Sequence, residues 1–150
     1  MANYEDIFKK ATVVAEGKSH GLVMFLDWSG SMSENINNTV KQLINLTLFC
    51  KKVNIPFDVY AFSSEYDQHD WMKETWKDGN IYLDKCNLLN ILSNRMSASE
   101  YSYACGALLY MTTGHHRLNW FCLGGTPLNE AVIAAMEIIP EFKKQYKLQL

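Results

Sequence analysis

The run Gly21-Leu22-Val23-Met24-Phe25-Leu26-Asp27 constrains the chain more than any other segment. Six residues without a charge, closed by an acid, read as a strand buried on both faces, the pattern of a central parallel strand rather than a half-solvated antiparallel one. A parallel partner needs a crossover, and the following residues supply one. From Ser33 to Val53 the residues Ile36, Val40, Leu43, Ile44, Thr47 and Leu48 recur at steps of three and four, the spacing of an amphipathic helix. Pro56 then opens IPFDVYAFSS, an alternating run that reads as the second strand. Strand, helix and strand in succession make a βαβ unit, and the fold class it implies is α/β.

Beyond this unit the expected elements are less regular. IYLD (residues 81–84) reads as a short strand after a turn at Asp78-Gly79-Asn80. NLLNILSNRM (87–96) and SASEYSYACGALLYM (97–111) both carry helical spacing, with Ser97 or Ser99 as the cap of the second. After Gly124-Gly125, the segment TPLNEAVIAAMEIIPEFKKQ reads as a helix with Thr126 as N-cap and Pro127 at the first helical position. The closing YKLQL resembles the first half of a further strand. Residues 1–20, with Ile7, Phe8, Ala11, Val13 and Val14 loosely at helical spacing, read as a helical extension ahead of one domain spanning 21–150.

Composition closes off several functions. The 150 residues are 48% hydrophobic, enough for one sizeable core. A net charge of −2 gives no basic footprint for nucleic acid or an anionic membrane surface. No apolar run reaches the roughly 18 residues of a membrane span, and the first twenty residues lack the plan of a signal peptide. Cys50, Cys86, Cys105 and Cys122 form no CxxC pair and read as reduced, so the expected location is the cytoplasm. The Asn-x-Thr triplets at Asn37 and Asn45 fall inside the expected helix and are discounted as glycosylation sites.

The chemistry concentrates in DWSGS, residues 27–31, directly after the first strand. Ser31-Met32-Ser33-Glu34 matches a capping box, which explains one serine but not an acid at the carboxyl end of a strand, where open α/β sheets place their ligands. A nucleophile elbow needs glycines two places either side of its serine; here those places hold Asp27 and Ser31. A D-x-D phosphotransfer pair would need an acid where Ser29 stands. A P-loop ending in Gly17-Lys18-Ser19 would need glycine at position 12, which is Thr. A metal reading accounts for more. Asp27, Ser29 and Ser31 at alternate positions across a strand-to-helix turn offer one carboxylate and two hydroxyls to one spot. Gly30 is expected to keep a β-carbon out of the way. Such an all-oxygen, low-charge set suits Mg²⁺ or Mn²⁺ and suits zinc poorly.

These residues resemble a known family. DWSGS is similar to the D-x-S-x-S signature of the metal-ion-dependent adhesion site in von Willebrand factor A (vWA) domains, and GGTPLNEAV, with Thr126, resembles the family's second ligand loop. The resemblance implies a Rossmann-like fold, a central mostly parallel sheet flanked by helices. It implies a metal site of Asp27, Ser29, Ser31 and Thr126, the serines coordinating directly and the acid partly through water. The function it implies is divalent-metal-dependent protein binding, with a partner's Asp or Glu filling an open position and no catalysis. The Asn-Leu-Leu-Asn segment, SNRMSASEY and LGGTPLNEA are most similar to intracellular and phage-encoded vWA proteins of the cobalt-chelatase-subunit type, which work beside a MoxR-type AAA+ ATPase. The family's third loop, an acid in a T-D-G-like turn, has no counterpart here, and its sheets hold more strands than the four legible in this chain. The expectation is a domain truncated at its C-terminus. The alternative is a metal-dependent hydrolase using the same ion to activate water. Asp70 and Glu130 are its only substitutes for a general base.

Three further groupings carry less. Cys105, His115, His116 and Cys122 match no common zinc spacing. His69 and Asp70 beside Trp71 read as a surface loop. Trp71, Trp76 and Trp120 read as core before contact surface, and Trp28 either packs under the metal loop or stands at its rim.

Overall fold

A computed structural model describes residues 20–64, 86–113 and 123–148. The βαβ unit forms as expected: β1 (Leu22–Asp27), α1 (Ile36–Lys52) and β2 (Phe57–Ser64). β1 and β2 are parallel, in register from Leu22 opposite Phe57 to Asp27 opposite Phe62. The Leu22 amide donates to the Pro56 carbonyl at 2.9 Å, and the Trp28 amide donates to the Phe62 carbonyl at the same distance. Even-numbered residues of β1 therefore turn their backbone groups toward β2. α1 buries Ile36, Val40, Thr47 and Cys50, the stripe its spacing predicts. It starts three residues later than expected, because residues 30–32 wind as a single 3-10 turn first.

The third strand departs from the sequence reading. NLLNILS does not form a helix; β3 (Cys86–Ser93) lies antiparallel along the other edge of β2, so the sheet order is β1-β2-β3. The physical reason is a bulge. Val59 pairs with Leu92 while the next residue, Tyr60, pairs with Asn90, so Ile91 is an extra residue on β3. Leu89 and Leu92, three apart, thereby sit opposite Ala61 and Val59 and share one face of the sheet. A three-residue apolar step is a helix signal in sequence, and here an extra residue makes it a strand signal. The Asn90 side-chain amide donates to the Val59 carbonyl at 3.2 Å, closing the bulge. Among the described strands the sheet is mixed, one parallel pair and one antiparallel, rather than mostly parallel. The expected strand at 81–84 lies outside the described residues.

Helices cover both faces. Leu26, Trp28, Phe57, Val59, Ala61 and Leu92 join Ile36, Val40 and Cys50 of α1, and Tyr101 and Leu108 of α2 (Ala98–Met111), in one buried cluster. On the opposite face Phe25 stacks on Tyr60 with ring centroids 5.6 Å apart, and α3 (Leu128–Tyr146) crosses. A β-carbon at Gly21 would lie 2.7 Å from both Phe142 and Leu148, so α3 seats its last turns where β1 begins. Asp58, 2% exposed on this face, meets the Arg95 guanidinium at 3.5 Å. Its negative charge and burial both push the Tyr146 hydroxyl of α3 upward, burial more.

The helix ends follow local chemistry. Ser97 caps α2 in a full capping box: its hydroxyl accepts from the Glu100 amide, and Glu100 accepts from the Ser97 amide at 2.8 Å. The Ser97 amide and, after it, the Ser97 hydroxyl donate to the Glu100 carboxylate and hold it below its ordinary range. α3 runs to Tyr146 and closes on Lys147, whose φ of 51° is left-handed, with the Leu148 amide returning to the Lys143 carbonyl at 3.0 Å. Tyr146 and Lys147 therefore belong to a helix terminus and not to a strand; Gln149 and Leu150 lie outside the described residues, as does the expected extension up to Ser19.

α1 and α2 are joined by a buried bond between Thr47 Oγ1 and the Tyr101 hydroxyl at 2.6 Å. Burial is the main cause that drives the Tyr101 hydroxyl from 10.0 to about 12, with the Thr47 bond opposing it. A native pKa raised above the unfolded one makes stability complete below pH 10 and progressively lost as pH rises toward 12. Thr47→Val removes the tyrosine hydroxyl's bond to α1, leaving it the Cys105 thiol, and should cost about 1–3 kcal/mol, while Thr47→Val with Tyr101→Phe should recover most of that loss. Urea unfolding of the three proteins checks the cycle. The alkaline decline in stability should be shallower in the double variant.

Candidate metal centre

Asp27 is the last residue of β1, and alternation turns it to the face opposite Leu26 and Trp28. Its Oδ1 is buried and accepts no hydrogen bond. An ionised oxygen left this way is costly unless a positive charge or a donor reaches it. Trp28 is 1% exposed and packs beneath the loop in the core, which settles its place away from any rim. Ser29 is extended (φ −100°, ψ 165°) and buried, and the turn at Gly30–Met32 brings its hydroxyl within 2.9 Å of the Ser31 hydroxyl. Neither serine caps a helix. Ser29 makes no capping bond to the turn that follows it, and Asn35 holds the N-cap position of α1. The capping-box reading of Ser31 to Glu34 is not realised.

The second loop is stitched onto the first. The Gly30 amide donates to the Gly124 carbonyl at 2.8 Å, and Ser29 and Gly124 form a parallel bridge. The Gly124 amide donates to Ser63 Oγ at 3.1 Å. Ser64 and Gly125 exchange two backbone bonds, each 3.3 Å long. Residues 124–125 thus lie across the carboxyl ends of β1 and β2, and Thr126 follows at once. Thr126 was expected to cap α3, but Pro127 occupies that position and α3 begins at Leu128 without a side-chain cap. The threonine side chain is exposed and not committed to the helix.

The steric demand falls on a different glycine from the one expected. A β-carbon on Gly30 would find nothing nearer than the Gly124 carbonyl at 3.7 Å, an ordinary contact. A β-carbon on Gly124 would stand 1.7 Å from the Ser64 carbonyl oxygen and 2.9 Å from Ser63 Oγ. The closeness of the two loops requires glycine at 124. Sequence reasoning also passed over Ser63, whose buried hydroxyl holds the second loop. Its only signal was a pair of serines closing an apolar strand.

The structure therefore brings Asp27, Ser29 and Ser31 into one loop and sets the Thr126 segment against it. The donors are one carboxylate and three hydroxyls. Among the described residues no three His, Cys, Asp or Glu side chains cluster as a metal-binding group. A set of one carboxylate with hydroxyls is of a different kind and is suited to a hard cation. Glu130, one of the two substitutes for a general base, lies near Cys86 at the start of β3, where its charge helps burial raise the Cys86 thiol. Asp70, His69, Trp71, Trp76, His115, His116, Trp120 and Cys122 lie outside the described residues. Cys105 is half-buried in α2, its thiol raised chiefly by burial. No protein-family model, curated protein or solved structure matches this chain.

Gly124→Ala should destabilise the fold by several kcal/mol or release the second loop, because the clash is with backbone oxygen that cannot swing aside. Gly30→Ala should be nearly neutral. Thermal melts and amide exchange at Gly30 and Ser64 read the contrast.

Proposed function

We propose that residues 21–150 form a vWA-type metal-dependent protein-binding domain, with Asp27, Ser29, Ser31 and Thr126 as its ligand set. The observation that carries this reading is the stitch between two loops roughly a hundred residues apart in sequence. The D-x-S-x-S turn and the Gly-Gly-Thr segment share a backbone hydrogen bond and a bridge at the carboxyl edge of the sheet. A helix cap or a packing turn gives no reason for that meeting.

The chemistry of the donors supports Mg²⁺ or Mn²⁺. The buried Asp27 Oδ1 accepts no hydrogen bond, and the two serine hydroxyls of the same loop lie 2.9 Å apart. Bound there, such an ion supplies Lewis acidity that one carboxylate neutralises only in part. The set leaves coordination positions for water and for an Asp or Glu from a protein partner. Binding is the reading preferred, with a hydrolase that uses the same ion to activate water as the alternative. The partner proposed is a MoxR-type AAA+ ATPase or a protein within its complex, in a bacterial or phage-infected cytoplasm. No described helix is long and apolar enough to cross a membrane.

Asp27→Asn separates the site from the fold. It should leave the apo fold intact, because asparagine keeps the size and shape of the side chain, and it should abolish the rise in Tm produced by Mn²⁺. Ser29→Ala with Ser31→Ala should also abolish Mn²⁺ binding in calorimetry, and Thr126→Ala should weaken it less. Unchanged Mn²⁺ affinity in Asp27→Asn would refute the ligand assignment. Partner capture should disappear in EDTA and return with Mg²⁺; equal capture in both would leave a metal-free interaction module.

A further inference from the structure

The turn that carries Ser29 and Ser31 is joined to α1 without a break. The Met32 amide donates to the Ser29 carbonyl at 3.1 Å, the Ser33 amide to the Gly30 carbonyl at 3.2 Å, and the Asn35 amide to the Met32 carbonyl at 2.9 Å. The Thr39 amide and hydroxyl then both donate to the Asn35 carbonyl, at 3.0 and 3.1 Å. A shift of the first turn of α1 therefore draws the serines with it. That turn is weakly secured by its own sequence. Asn35 makes no side-chain capping bond, and the turn holds no acid to meet the helix dipole. Ile36 is buried beneath it, but apolar burial is non-directional and sets depth rather than rotation.

The directional contact comes from α2. The Asn37 side-chain amide donates to the Thr112 hydroxyl at 2.5 Å, across 75 positions of sequence. Thr112 is the residue that closes α2, 8% exposed, and its own proton goes to the Leu109 carbonyl at 2.7 Å. A hydroxyl has one proton to give, so Thr112 accepts and Asn37 donates. The bond between Thr47 and Tyr101 joins the same two helices, which run antiparallel, at their other ends. It lies about 15 Å further along α1, remote from the serines.

We infer that Asn37 and Thr112 are positioning residues for the candidate metal site: a helix that supplies no ligand holds the turn that carries Ser29 and Ser31. The inference rests on the ligand set proposed above. The two interhelical bonds differ in what they control. The Thr47 bond stabilises the helix pair, whereas the Asn37 bond also fixes the turn in which the serine hydroxyls stand 2.9 Å apart. By linkage, an ion that needs that arrangement strengthens the Asn37 bond by the same factor as the bond strengthens ion binding. Metal affinity is thereby set in part from the end of α2.

Thr112→Val keeps the side-chain shape and removes the acceptor, Thr112→Ser keeps the acceptor, and Asn37→Ala removes the donor. Thr47→Val is the control, since it breaks the other bond between the same helices. Calorimetric Mn²⁺ affinity of the 150-residue chain should fall about threefold to tenfold in Thr112→Val and in Asn37→Ala, the size of one hydrogen bond, and no further in the double variant. Thr112→Ser should bind as the parent chain does, and so should Thr47→Val despite its lower stability in urea. In the metal-free protein the Gly30 and Asn35 amides should exchange faster in Thr112→Val than in Thr47→Val. Unchanged Mn²⁺ affinity in Thr112→Val, or an equal loss in Thr47→Val, overturns the inference. If the parent chain binds no Mn²⁺, or Asp27→Asn binds it equally, the ligand assignment fails and exchange alone decides. Equal rates at Gly30 and Asn35 in the two variants then overturn the positioning role, and a selective rise in Thr112→Val upholds it.

Discussion

β2 is hydrogen-bonded along both of its edges, and the rest of the described fold is arranged around that fact. Its residues alternate between two covered faces. Phe57, Val59 and Ala61 meet α1 and α2, while Asp58, Tyr60 and Phe62 turn to the side that α3 crosses. The strand accepts a parallel partner on one side because α1 supplies the crossover, and an antiparallel partner on the other through the bulge at Ile91. Burial of β2 on both faces is the main source of the core, since apolar area removed from water scales the gain. The carboxyl end of the same strand carries Ser63 and Ser64, which hold the loop ahead of α3. Core and candidate site are thus anchored on one element.

The site inherits its character from this arrangement. Side chains at the ends of adjacent parallel strands converge, and the amides of the following turns are left without sheet partners. Here those amides are used to join loops: Gly30 to Gly124, Gly124 to Ser63, Ser64 to Gly125. Fixing the loops by backbone bonds leaves the hydroxyls of Ser29, Ser31 and Thr126 uncommitted to helix capping. The buried oxygen of Asp27 is the cost of this construction in the free protein, and it is also the reason a cation would be favoured there.

Errors in the sequence reading have a common origin. Leu88, Leu89, Ile91 and Leu92 satisfy a helical template and a bulged strand equally well, and only the open edge of β2 chose between them. Thr126-Pro127 matches the start of a helix, yet the helix begins a residue later because the preceding glycines are held across the strand ends. Gly30 looked like the steric hinge because it sits between the candidate ligands. Gly124 bears the constraint, through a carbonyl sixty residues away in the chain. Each error concerns a local pattern whose meaning depends on a distant neighbour.

What the sequence determined by itself was the βαβ unit and a serine cap for α2, narrowed to Ser97 or Ser99; it also proposed the candidate metal ligands in DWSGS and at Thr126. These rest on periodicity, capping and donor chemistry, which act over a few residues and are legible in one dimension. Tertiary structure alone decided that 86–93 is a strand, that Trp28 lies beneath the loop, that Ser63 is a support, and that the two ligand loops are joined. These depend on which backbone groups remain unpaired once the sheet is assembled. A hydrogen bond between residues 30 and 124 leaves no mark in local composition, because its partners are chosen by the fold and not by their neighbours.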